Sequence, residues 1–254
     1  MKSTEQQDLW QYLGMPYFDG ARGRMHYRRW PIENTVATVL LLPGMGQHSG
    51  HYHRFARTLK AADIEMWALD TSGHGLSEGD SGKPGTLSEL VADALMMVEL
   101  VRATAPQPPL LMMGHSLGAV TTLGMFGAAV PDPAEATADS TVERALPLRP
   151  ALAADTVAGI VLSGVPKRAL GGGARGAAGT PLPPSLPVLA VHGVEDRRAP
   201  IDAIRVWTRR HESVDLHEYI DAGHDLLHEP VHAQVAADIV DWMQGVVVGL
   251  ARRP

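Results

Sequence analysis

The feature that most constrains this chain is a regular alternation. Short runs, most of them almost unbroken in apolar residues, take turns with longer amphipathic segments. The runs are Val36–Leu42, Ile64–Leu69, Pro109–Met113, Val157–Ser163, Val188–His192 and Val214–Ile220. A strand that is apolar on both faces must be buried on both, and parallel sheets with helices on each side achieve that. Met25–Trp30 is an earlier strand candidate, suited to an antiparallel edge. The spacing predicts helices over Tyr52–Ala62, Thr86–Ala103, Leu117–Val130 and Ile201–His211, with a last one from Pro230 to Arg252. In Thr86–Ala103, Thr86 and Glu89 form a capping box ahead of the stripe Leu87, Leu90, Val91, Ala94, Leu95, Val98 and Val101; Pro106 stops it. On the last helix, Val231, Val235, Ile239, Trp242, Met243, Val246 and Leu250 should face inward. The pattern points to an α/β fold: one domain over residues 1–254, with a mostly parallel central sheet and helices on both faces.

Two stretches break the alternation. Pro131–Asp155 is rich in Ala and Pro, and Pro166–Pro187 holds five Gly and five Pro. Both read as surface excursions from a single domain. Composition narrows function. The net charge is −6 with no basic block, which argues against nucleic acid as a partner. There is no Cys, hence no disulfide, thiol nucleophile or Cys-bound metal. The N-terminal residues hold no apolar core of signal-peptide length, and no apolar stretch is long enough to span a membrane, so a cytoplasmic location is expected.

The strongest chemical signal is Gly114-His115-Ser116-Leu117-Gly118, which follows the run Pro109–Met113 and opens a helix. A serine on so tight a strand-to-helix turn needs small neighbours two residues away on each side. The turn lifts Oγ clear of the sheet, beside a helix N-terminus that favours developing negative charge. Such a serine needs an imidazole base, and the imidazole needs a carboxylate to hold it. Reactive groups in these sheets gather beyond the C-terminal strand ends. The run ending at His192 is followed by Gly193-Val194-Glu195-Asp196, and the run ending at Ile220 by Asp221-Ala222-Gly223-His224-Asp225. Asp196 is the candidate acid, with Glu195 the alternative and a capping role the bland reading. His224 is the candidate base, and His228 is its nearest rival. The backbone N–H of Leu117, and that of Met45 in the turn Pro43-Gly44-Met45-Gly46, are candidate oxyanion donors. No cofactor or metal is called for. His228-Glu229-Pro230-Val231-His232 matches a zinc-protease pattern, but Pro230 suits only a first helical turn, which takes His228 off the face of His232.

Together these residues resemble the α/β-hydrolases, and among them the monoacylglycerol-lipase and lysophospholipase branch, a serine aminopeptidase-type group. The likeness covers roughly Gly20–Met243. Pro43-Gly44-Met45-Gly46-Gln47-His48-Ser49-Gly50-His51-Tyr52 is similar to the branch's His-Gly-x-Gly-Glu-His-Ser-Gly-x-Tyr. Pro43 stands in place of His and Gln47 in place of Glu. Asp70-Thr71-Ser72-Gly73-His74-Gly75-Leu76-Ser77-Glu78-Gly79 is close to Asp-x-x-Gly-His-Gly-x-Ser-Glu-Gly, with His74 and Ser77 read as a structural turn. Gly223-His224-Asp225-Leu226-Leu227-His228-Glu229 also resembles the branch. The resemblance implies a Ser116–Asp196–His224 triad, with Met45 and Leu117 as oxyanion donors. The substrate would be a small acyl compound cleaved through an acyl-enzyme. A carboxylic ester is the first expectation, a thioester or lactone the alternative, and a non-catalytic ligand-binding homologue a further one. The branch inserts a helical cap before the strand that carries the acid. Here that interval is only Val165–Leu186, and two average helices of about 11 residues would leave nothing for turns. The cap is expected to be reduced or missing, with 131–155 as a partial substitute.

Overall fold

A computed structural model describes residues 16–127, 152–170 and 182–252. Its centre is a single eight-stranded sheet. The strands are β1 (Tyr17–Gly20), β2 (Gly23–Trp30), β3 (Ala37–Leu42), β4 (Ile64–Leu69), β5 (Leu110–His115), β6 (Gly159–Ser163), β7 (Val188–Gly193) and β8 (Val214–Tyr219). They lie in the order β1-β2-β4-β3-β5-β6-β7-β8. From β4 to β8 every neighbour pair is parallel, while β2 pairs antiparallel with β4 and with β1. Met25–Trp30 is thus part of an antiparallel strand as expected, but β1 lies outside it and takes the edge.

The apolar runs of β3 to β7 are continuous because each of those strands feeds two cores, whereas β8, with Asp215, His217 and Glu218, is partly exposed. Leu40, Leu42, Met112, Ile160 and Leu162 point to one face. There they meet α2 (Leu87–Thr104), α3 (Leu117–Met125) and α4 (Ile201–Thr208) through Leu87, Val91, Leu123, Ile204 and Trp207. Val39, Leu41, Leu111, Met113 and Val161 point to the other. They meet α1 (His53–Ala61) and α5 (His232–Ala251) through Phe55, Leu59, Val235, Ile239 and Met243. Side chains alternate across a strand, so an unbroken apolar run is what a two-sided core requires.

The capping box on α2 is formed as the sequence predicts: Thr86 Oγ1 accepts from Glu89 N–H, and Glu89 accepts from Thr86 N–H at 2.7 Å. The inner stripe differs by one position. Met97 is fully buried and Leu95 only partly. Three helix ends differ from those drawn, and the helix over Ile201–His211 stops at Thr208. The helix drawn over Leu117–Val130 ends at Met125, and Gly127 then takes a φ of 77°, where L side chains are strained. The last helix starts at His232, two residues after Pro230. The Glu229 carboxylate accepts from the N–H groups of Gly223 and Asp225 at 2.6 and 2.9 Å, and this holds the preceding turn apart from the helix. Most of the 131–155 excursion, and residues 171–181 of the 165–186 interval, lie outside the described residues. In what is described of that interval, a 3-10 turn, Lys167–Leu170, follows β6.

Candidate active site

The strand order reverses at β3, which has β4 on one side and β5 on the other. The crevice at such a reversal is the usual ligand site of an open α/β sheet. Here the turn after β3 brings in Met45, and the turn after β5 brings in Ser116. The loops after β7 and β8 bring in Asp196 and His224.

Ser116 sits at φ 50°, ψ −107° between β5 and α3, in the left-handed half of backbone space that a residue with a side chain avoids. Its two glycine neighbours explain how so tight a turn closes. A Cβ on Gly114 would come within 2.4 Å of Gly118 O, and a Cβ on Gly118 within 1.8 Å of Leu42 O. The backbone of α3 therefore lies directly against the end of β3. Leu117 N–H is one of the first N–H groups of a helix, which have no intrahelical acceptor. Met45 N–H makes no backbone hydrogen bond among the described residues. The Met45 side chain is half exposed.

Asp196 and His224 are in direct contact. His224 Nδ1 donates to Asp196 Oδ2 at 2.7 Å, and both residues are buried. Asp196 Oδ1 accepts from the N–H groups of Arg198 and Ala199, each at 2.8 Å. The turn-capping role and the contact with histidine thus fall to different oxygens of one carboxylate. Burial pushes the Asp196 carboxyl up, but these hydrogen bonds outweigh it and hold the group below its ordinary value. An ionised acceptor at Nδ1 requires the proton there, which leaves Nε2 as the basic nitrogen. Ser116, His224 and Met45 line one cavity of about 220 Å³, together with His115, Pro166, Arg168, Arg198 and Asp225. Glu195 is exposed, and the hydrogen bond to His224 comes from Asp196 instead. His228 lies apart in a 3-10 turn, its ring edge-on to Tyr52 at 5.2 Å between centroids. The zinc-like motif is split as its proline suggests, with His228 outside the helix that His232 begins. Among the described residues no group of three or more His, Asp or Glu is arranged to hold a metal ion.

The structure adds residues that sequence reasoning missed. Asp225 Oδ1 accepts from His115 Nε2 at 3.1 Å and from Gln47 Nε2 at 2.9 Å. Gln47 Oε1 in turn accepts from the Tyr52 hydroxyl. The His115 ring stands 5.0 Å from that of His224. The hydrogen bond from His115 holds the Asp225 carboxyl down at about 2. Burial pushes the His115 pKa down despite Asp225. This network explains Gln47: an ionised Glu there would offer no donor and would set two carboxylates against each other. The only sequence signal was adjacency, since His115 precedes Ser116 and Asp225 follows His224.

The turn over Asp70–Gly79 is structural. Asp70 Oδ1 accepts from Ser49 N–H, while Oδ2 meets Leu76 N–H and His26 Nδ1. Ser77 Oγ accepts from His26 N–H and donates to Asp70 O.

The chain is similar to known proteins in sequence and in fold. A family model described as serine aminopeptidase, S33, matches residues 33–138. The chain has the α/β-hydrolase fold. It is 28% identical to a monoacylglycerol lipase of Mycolicibacterium smegmatis, over 89% of this chain and 95% of that one. It is 32% identical to the monoglyceride lipase of Homo sapiens over 109 residues, which is 42% of this chain and 36% of the human one. Its fold matches the crystal structure of a thermostable carboxyl esterase from Bacillus coagulans. The TM-score is 0.68 at 15% identity, covering 91% of this chain and 97% of that one. These relatives support a carboxylic ester hydrolase, and the chain is similar to monoacylglycerol lipases among them. Among its described residues no helix is long and apolar enough to cross a membrane.

Proposed function

We propose that this hydrolase cleaves a carboxylic ester through an acyl-enzyme, with Ser116 as nucleophile, His224 as general base and acid, and Asp196 as the group that orients His224. The observation that carries the reading is the convergence of Ser116, on its strained turn, with a His224 already held at Nδ1 by Asp196, both facing one cavity. Ser116 Oγ attacks the carbonyl carbon as His224 Nε2 takes its proton. The oxyanion is held by the N–H groups of Met45 and Leu117. His224 then gives the proton to the leaving alcohol. Water repeats the sequence on the acyl-enzyme and frees the acid.

The substrate we favour is a small, polar ester. Relatives include a monoacylglycerol lipase, but this cavity is lined mainly by charged and polar side chains, with Met45 and Pro166 as its apolar exceptions. We also infer a single domain with a reduced cap, because the Val165–Leu186 interval is too short for a pair of helices. A chain without Cys suits a reducing compartment such as the cytoplasm.

The test is labelling by a fluorophosphonate probe, with turnover of p-nitrophenyl butyrate. Wild type should label and Ser116→Ala should not. Ser116→Ala and His224→Ala should each lower kcat by about 10⁴ or more with unchanged circular dichroism. Near-normal turnover in either variant would overturn the assignment.

A further inference from the structure

The cavity that holds Ser116 and His224 also carries charge that ester cleavage does not use. Arg168 and Arg198 both line it. Arg168 comes from the 3-10 turn after β6, and Arg198 from the loop between Asp196 and α4. Two guanidinium groups from separate connections thus converge on one opening. Arg168 makes no ion pair among the described residues. Arg198 has one carboxylate near it, Asp225 Oδ2 at 3.9 Å. The other oxygen of Asp225 is already engaged by His115 and Gln47. Two cations therefore face one committed carboxylate, in a chain whose net charge is −6. A lone exposed arginine is ordinarily just solvated. Two that share a concave site are different: each presents a planar fork of donors suited to the paired oxygens of an anion.

We propose that Arg168 and Arg198 form an anion subsite, and that the substrate is an ester bearing a carboxylate or phosphate group placed to reach it. The inference rests on the ester-hydrolase reading and adds the charge of the substrate. It also accounts for a polar mouth on a fold whose relatives include lipases.

The test uses the full chain and two matched pairs of esters. In the first, 4-nitrophenyl hemiglutarate is compared with its methyl ester, in which a neutral –COOCH3 replaces the carboxylate on the acyl side, with release of nitrophenol as the readout for both. In the second, a butyrate monoester of glycerol 3-phosphate is compared with 1-butyrylglycerol, which differs by a phosphate on the alcohol side. The anionic member of one pair should have a kcat/KM about tenfold higher at low salt, mainly through KM. High salt should shrink that advantage. The pair that shows it locates the subsite on the acyl or the alcohol side. In an Arg168→Gln, Arg198→Gln double variant the anionic-to-neutral ratio should fall to near one. In Arg57→Gln, an exposed cation on α1, the ratio should match wild type. Turnover of the neutral esters with no anion preference, or a ratio unchanged in the double variant, overturns the subsite alone. Silence toward all four esters, together with no fluorophosphonate labelling, overturns the ester reading as well.

Discussion

Asp93 and Asp70 are both buried carboxylates, and they titrate in opposite directions. Asp93, on α2, has one partner: Oδ1 accepts from Ala21 N–H at 2.7 Å, while Oδ2 has none among the described residues. Burial pushes its pKa up to about 6, against the Ala21 hydrogen bond and with help from nearby Glu89. Asp70 is buried too, which pushes it up, but donors from His26, Leu76 and Ser49 outweigh the burial and hold it down at about 2. The number of donors decides the sign. For Asp93 the folded value lies above the ordinary one, so the fold prefers the neutral acid. Its favourable contribution is complete below about pH 4 and is lost as pH rises through about 6. Asp93→Asn, which cannot ionise, should therefore stabilise the protein at pH 8 by about 2–3 kcal/mol. At pH 4 it should change little. Urea melts at the two pH values check this, and equal effects at both would refute it. For Asp70 the sign reverses: its contribution is present above the ordinary carboxylate range and is lost as pH falls through about 2.

The turn that carries Ser116 is set by contact between whole elements, because α3 lies against the end of β3. Gly118→Ala puts a methyl group 1.8 Å from Leu42 O, a backbone atom that cannot swing aside. It should cost about 3 kcal/mol or more and abolish turnover. Gly245→Ala on α5, where a Cβ meets nothing within 4 Å, should instead add about 0.5–1 kcal/mol. Paired thermal melts separate the two, and similar shifts would mean that the close approach of α3 to β3 is wrong. Elements like these were the legible part of the sequence. Strands buried on both faces announce themselves as apolar runs, and the capping box at Thr86 and Glu89 is readable because its partners are three residues apart. The four-residue β1 was missed because so short a strand has no periodicity to detect. The start of α5 was misplaced because Glu229 binds two backbone N–H groups behind it, which no local pattern shows. The serine, acid and base candidates stood out through position at strand ends. The Asp225 network did not, since its partners His115 and Gln47 lie 110 and 178 residues away in the chain.

At the scale of the whole molecule, the question is whether this fold can work at a lipid surface. A lipase that does so needs an apolar face around its mouth, so that adsorption offsets the loss of hydration. Here the mouth carries Arg168 and Arg198, and Met45 is its main exposed apolar side chain. A net charge of −6 also disfavours approach to an anionic surface. The Val165–Leu186 interval between β6 and β7 is too short for two average helices of about 11 residues, which supports the reduced cap we propose. On that proposal, substrate reaches Ser116 as a dissolved molecule. The rate with short esters should follow monomer concentration and show no jump where micelles form. Monobutyrin should be a better substrate than monopalmitin, because a long chain finds no apolar channel in a cavity of about 220 Å³. Initial rates measured across the critical micelle concentration, for monoglycerides of increasing chain length, check both points. A sharp rise at the micelle threshold, or a preference for C16–C18 chains, would overturn the reading of a polar, uncapped entrance.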